Sequence, residues 1–197
     1  EADAKQFGDE RRTVLLADKR AVAEVKVIDE PVTVVVSLKG WVRALKGHEV
    51  EIATLAFKAG YALYGAFPCR SVDTLVVIGS HGRVYSVATA GLPGGRGDGV
   101  PVTSLIDLEA GTQPAHYFAG AADTLLLLAG TGGFGLLALA GDLVSRQRAG
   151  KAFLALEAGE HVLPPAVVAA SPKPHTRVAC LSKSGRLLVF PLADLKR

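Results

Sequence analysis

Residues 74–87 read T-L-V-V-I-G-S-H-G-R-V-Y-S-V. A threonine opens an aliphatic, β-branched run, a glycine turn interrupts it, and a second apolar run follows. Runs of this length and composition, bounded by turn residues, predict strands, and two of them joined through G-S-H-G predict a β-hairpin.

The same pattern occurs three more times: T-V-V-V-S-L-K-G-W-V-R-A-L from Thr33, T-L-L-L-L-A-G-T-G-G-F-G-L-L-A from Thr124, and T-R-V-A-C-L-S-K-S-G-R-L-L-V-F from Thr176. The turn glycines Gly40, Gly82, Gly133 and Gly185 lie 42, 51 and 52 residues apart. Each turn needs a residue with positive φ, which glycine supplies without a Cβ clash. A lone hairpin is marginal in water, so tandem hairpins must stack on one another. The repeat therefore predicts an all-β, propeller-like ring of blades, closed or nearly so.

Each unit has a second half. In the second unit a loop, L-P-G-G-R-G-D-G-V from Leu92, precedes expected strands at Pro101–Leu108 and Ala115–Phe118. In the third, G-D-L-V-S-R-Q-R-A-G-K from Gly141 precedes strands at Ala152–Leu156 and Val162–Ala169. In the first, a shorter loop from Gly47 precedes Leu55–Phe57 and Ala62–Phe67. The fourth unit reaches Arg197 where its loop should begin, so either the sequence is trimmed there or the last blade is incomplete. Residues 1–20 are charged and turn-like and read as a connection from a preceding domain, leaving 21–197 as the β domain, with Ala21–Ile28 its first strand.

With 49% apolar residues, the chain of 197 can bury a core without staples. Its longest apolar stretches, such as Thr124–Ala129, are too short to span a bilayer as a helix. The two cysteines, Cys69 and Cys180, form neither a disulfide framework nor a zinc site and read as half-buried strand thiols in a reducing cytoplasm. Net charge is +3, unevenly spread: residues 1–32 carry six Lys/Arg and eight Asp/Glu, net −2, and the rest carries sixteen and eleven, net +5. A mild basic excess on the folded part suits a polyanion partner.

Asp3–Thr13, D-A-K-Q-F-G-D-E-R-R-T, resembles the end of the catalytic core of type IIA topoisomerase A subunits, where it leads into the C-terminal domain. G-R-V-Y-S-V (Gly82–Val87), L-P-G-G-R-G-D-G-V-P-V (Leu92–Val102), F-K-A-G (Phe57–Gly60) and G-A-F-P-C-R-S-V-D-T (Gly65–Thr74) are similar to topoisomerase IV A subunits. The resemblance covers essentially the whole chain. It implies a β-pinwheel, a ring of four to five four-stranded blades exchanging strands, closed or open. It implies a duplex-DNA-binding and bending domain, without chemistry of its own, inside an ATP- and Mg2+-using enzyme. Implied partners are double-stranded DNA, the ATPase subunit, the catalytic core that precedes the domain in its own chain and, as in some bacteria, a condensin-type protein.

The gyrase relatives carry a box like Q-R-R-G-G-K-G. Here the nearest match is S-R-Q-R-A-G-K-A (Ser145–Ala152), with Pro93–Gly99 a weaker echo, which argues against strong chiral wrapping. Leu38, Leu45, Tyr61 and Leu139 are apolar where relatives are expected to be polar.

Arg146, Arg148 and Lys151 offer three cations on one loop, suited to phosphates. Arg96 is presented beside Asp98 on the second unit's version of that loop, which has no Walker pattern. Lys39, Arg43 and Lys46 are expected to cluster round the first hairpin turn, and Arg83 and Arg186 follow turn glycines. Together these residues would line a rim that holds a curved duplex by its phosphates. His48, His81, His116, His161 and His175 are scattered without metal-ligand spacing, and no nucleophile or cofactor loop is evident, so neither a catalytic residue nor a cofactor is expected. The competing reading is a propeller-like scaffold whose rim meets a protein.

Overall fold

The computed structural model describes residues 27–51, 60–94, 97–169 and 175–197, together with Gln6, Gly8 and Leu55. It is all-β, with four antiparallel sheets following one another along the chain. The hairpins fall where the repeat places them: β1 (Pro31–Ser37) with β2 (Trp41–Lys46), β4 (Thr74–Gly79) with β5 (Arg83–Ala88), β8 (Leu125–Ala129) with β9 (Gly135–Leu139), and β12 (Arg177–Leu181) with β13 (Leu187–Pro191). Their turn glycines have φ of 74°, 79°, 91° and 79°.

Two further strand types complete the sheets. β3 (Leu63–Arg70), β7 (Pro114–Gly120) and β11 (Ala166–Val168) each pair with the first strand of their own hairpin. β6 (Val100–Pro101) and β10 (Lys151–Ala152) each leave their own unit and pair with the second hairpin strand of the sheet before. The orders are β3-β1-β2-β6, β10-β5-β4-β7, β11-β8-β9 and β12-β13. Two of the expected four-stranded blades are therefore complete among the described residues; the third sheet has three strands and the fourth has two.

Stacking explains why the hairpin strands are continuously apolar. Successive side chains point to opposite faces. Leu75 and Val77 enter a first core with Val34, Val36 and Val42, while Val76 and Ile78 enter a second with Leu126 and Leu128. Leu125 and Leu137 continue into a third core with Val178 and Leu192. The fourth sheet has no neighbour beyond it among the described residues: Leu181 and Leu187 are 74% and 65% exposed.

Several sequence expectations are corrected. Pro101–Leu108 is not one strand: after the two residues of β6 the chain enters a 3-10 turn at Val102–Ser104. Val102 and Ile106 are apolar because they fill the first core, not because they pair. Ala152–Leu156 and Val162–Ala169 shrink to β10 and β11 for the same reason, Leu154 and Val162 being core residues. Ala21–Lys26 and most of the 1–20 connection lie outside the described residues, as do Ala56 and Phe57, and Val27 and Ile28 belong to no strand. Cys69 is buried, which pushes its thiol pKa up, whereas Cys180 is exposed. No helix among the described residues is long and apolar enough to cross a membrane.

Candidate nucleic-acid interface

The two complete sheets have opposite kinds of edge. β3 and β7 face each other: the Tyr64 and Tyr117 rings meet edge-on at 5.0 Å and Phe67 and Phe118 at 6.3 Å. His116 ties this inner side together, with Nδ1 3.1 Å from the Tyr64 hydroxyl and Nε2 3.0 Å from the Val162 carbonyl. A carbonyl only accepts, so Nε2 carries the hydrogen and Nδ1 accepts from the tyrosine. Burial raises the Tyr64 phenol above its usual pKa and that of Tyr117 to about 12. The opposite edges carry β6 and β10. These are the outer edges, and the glycine-rich and cationic loops arrive there.

The two loops are structural counterparts. Each leaves a 3-10 turn (Thr89–Gly91 and Ala140–Leu143), crosses to the preceding sheet and closes on a positive-φ glycine, Gly99 (88°) or Gly150 (64°). A Cβ at Gly99 would collide with the Val42 carbonyl oxygen, and one at Gly150 with that of Val84. Glycine is required at both because the exchanged strand starts flush against its host. The entry is fixed by the Ala44 N–H donating to the Pro93 carbonyl (2.9 Å) in one case and the Ser145 N–H to the Ser86 hydroxyl (2.7 Å) in the other.

On this frame the expected cations divide. Arg146 and Arg148 are exposed on the loop. Arg148 donates to the Ser104 carbonyl (3.1 Å) and lies 3.5 Å from Asp107, with both side chains more than 60% exposed. Exposed pairs of this kind contribute about 0–1 kcal/mol, so a phosphate can replace the carboxylate. Lys151 is half-buried, its Nζ on the Asp142 carbonyl and 5.7 Å from the centre of the Phe153 ring. Arg83 reaches across to the same loop, donating to the carbonyls of Ala149 (2.6 Å) and Gly150 (3.4 Å). Carbonyl partners leave its charge without a carboxylate beside it among the described residues. The structure thus gathers Arg83, Arg146, Arg148 and Lys151 round one loop.

Arg43 is placed differently. It is 9% exposed, and its guanidinium donates to the Gly97 carbonyl, so it holds the second unit's loop from beneath. The expected Lys39–Arg43–Lys46 cluster is corrected. Lys39 is exposed in the turn, but Lys46 ends β2, about 16 Å away at ~3.3 Å per residue, beside Glu30 at 3.7 Å. Arg186 is exposed on the fourth hairpin. Arg96 lies outside the described residues. Of the unexpected apolar positions, Tyr61 packs edge-on against Trp41 at 5.8 Å, and Leu45 is half-buried opposite Thr33. Nothing in the structure explains Leu38 or Leu139.

Sequence reading missed Ser86, a host-strand residue that holds the incoming loop, and it missed the outer edge of the third sheet, where the Leu137 N–H donates to the Lys196 carbonyl (2.8 Å). The only signal was their shared place, four residues past the turn glycines Gly82 and Gly133. Among the described residues no group of three or more His, Cys, Asp or Glu is arranged to hold a metal.

No family model matches the chain. It is 41% identical over 201 residues to the A subunit of DNA topoisomerase 4 from Neisseria gonorrhoeae, a match covering all of this chain and 26% of that protein. The chain thus spans about a quarter of the length of the curated relatives it matches. Among solved structures, the E. coli ParC C-terminal domain superposes with a TM-score of 0.79 at 37% identity, covering 85% of this chain and 67% of that one. The DNA gyrase A C-terminal domain matches with a TM-score of 0.57 at 21% identity, a likeness of fold alone.

Proposed function

The chain belongs to the family of C-terminal domains of topoisomerase IV A subunits, related to those of gyrase A, and from that membership we propose that it binds and bends duplex DNA without doing chemistry. It forms a β-pinwheel of four to five blades whose outer edge carries the duplex. It presents the transported segment to a cleavage core elsewhere in the same polypeptide, and it tunes preference among linked and supercoiled substrates. ATP and Mg2+ serve other parts of that enzyme, which works on the nucleoid in the cytoplasm.

The observation that carries this reading is the shared outer-edge loop of the first two sheets. In the second sheet it brings Arg83, Arg146, Arg148 and Lys151 together on an exposed edge. Such a set grips phosphates and reads few bases, so binding is sequence-tolerant and salt-sensitive. With about five phosphates neutralised, the log–log salt slope is about −4 to −5. Fluorescence anisotropy with a 20-base-pair duplex at several salt concentrations tests it; a slope near zero rejects a phosphate-led mechanism. Changing Arg146, Arg148 and Lys151 together to alanine should weaken binding to all sequences about equally.

A second reading is a scaffold whose rim meets a protein, such as a chromosome-organising partner. The exposed Leu181, Leu187 and Leu188 of the fourth sheet favour it. It predicts duplex binding no stronger than that of any equally basic domain.

A further inference from the structure

The hydrogen bond from Leu137 to Lys196 belongs to the same series as the loop entries of the first two sheets. Between the second and third units the offset is 51 residues, so Pro93 corresponds to Val144; between the third and fourth it is 52, so Val144 corresponds to Lys196. Ala44 and Leu137 occupy matching places on the host strands β2 and β9, each two residues past the one that opens the pairing, Val42 or Gly135. Their N–H groups donate to the carbonyls of Pro93 (2.9 Å) and Lys196 (2.8 Å). The chain after the fourth hairpin also takes a 3-10 turn, Leu192–Asp194, as it does after the second and third. Lys196 and Arg197 therefore enter the outer edge of the third sheet as Pro93–Gly94 and Val144–Ser145 enter those of the first and second. Both side chains are exposed, and among the described residues neither makes an ion pair.

We propose that Lys196 and Arg197 are a phosphate-binding pair on the third sheet, extending the duplex track beyond the Arg146–Lys151 loop. This rests on the DNA-binding reading above and adds a site to it. Position supports the assignment: the main chain of Lys196 is held by Leu137, so the pair starts from that edge with both side chains open to solvent. Contact is with the backbone of the duplex and independent of sequence.

The test compares four forms of the 197-residue chain for a 20-base-pair duplex across a salt series: the parent, Arg146→Ala/Arg148→Ala, Lys196→Ala/Arg197→Ala, and Lys196→Glu/Arg197→Glu. The alanine pair at 196 and 197 should lower the magnitude of the salt slope by about 2 and weaken binding roughly tenfold at low salt. The glutamate pair should weaken it further. Unfolding midpoints should match the parent, because the Leu137 bond uses only the Lys196 main chain. If the parent and the Arg146/Arg148 variant behave as expected but both 196/197 variants bind as the parent does, this pair is not on the track and the DNA-binding reading stands. If the parent itself shows no salt-dependent binding, both fall.

Discussion

Arg43 lies in V-R-A-L-K, a stretch that reads as a surface cation near a turn, yet its guanidinium sits beneath the Gly97 carbonyl. Removing it strips a buried donor from a loop, so Arg43→Ala should lower stability by about 1–3 kcal/mol in urea unfolding. It should leave the salt slope of DNA binding at the parent value. Arg148→Ala should do the reverse, changing stability by less than about 0.5 kcal/mol and the slope by about 1. Residue type was legible at both positions. Destination was not, because which arginine is covered depends on a strand arriving from the next unit. Gly150 makes the same point through the backbone. Gly150→Ala combines a positive φ of 64° with a collision against Val84 and should cost at least about 2 kcal/mol. Gly47→Ala, at φ 80° with open space around it, should cost about 1 kcal/mol.

At the level of elements, the four hairpins were readable because stacking makes both faces of each strand apolar and glycine marks each turn. The exchanged strands were not. β6 and β10 are two residues long, and what defines them is the host edge they meet, which has no local signature. The core-filling residues that follow them look like paired ones, so the predicted strands came out too long. The inner-edge strands β3 and β7 were legible as Ala62–Phe67 and Ala115–Phe118, but the contacts made there by His116 were not, since it looked like one scattered histidine among five. There the buried phenols make a pH prediction. Tyr117 is raised from 10.0 to about 12 by burial. Below pH 10 folded and unfolded chains both keep that proton. Between about 10 and 12 the unfolded chain loses it first, so stability falls as pH rises through that window. Tyr117→Phe should flatten the decline relative to the parent, measured as urea midpoints from pH 9 to 12.

Across the whole molecule, burial runs down along the array. Val34, Leu75 and Leu126 are fully buried, while the fourth hairpin leaves Leu181 and Leu187 in solvent. Leu126→Ala should therefore cost about 2–5 kcal/mol, whereas Leu181→Ser with Leu187→Ser should change stability by less than about 0.5 kcal/mol each. The uneven charge, net +5 after residue 32, was plain in the sequence and pointed to a polyanion. A rim of cations was expected as well, but the gathering of Arg83, Arg146, Arg148 and Lys151 at the second sheet depends on where one exchanged loop lands. Exchange also decides how the molecule bears a pull. A load pulling outward on the Ser145–Gly150 loop would draw on a segment rooted in the third unit but laced to the second. Tension entering at one sheet is shared with its neighbour, as in overlapping roof tiles, and no single hairpin can be peeled away without loosening the one beside it.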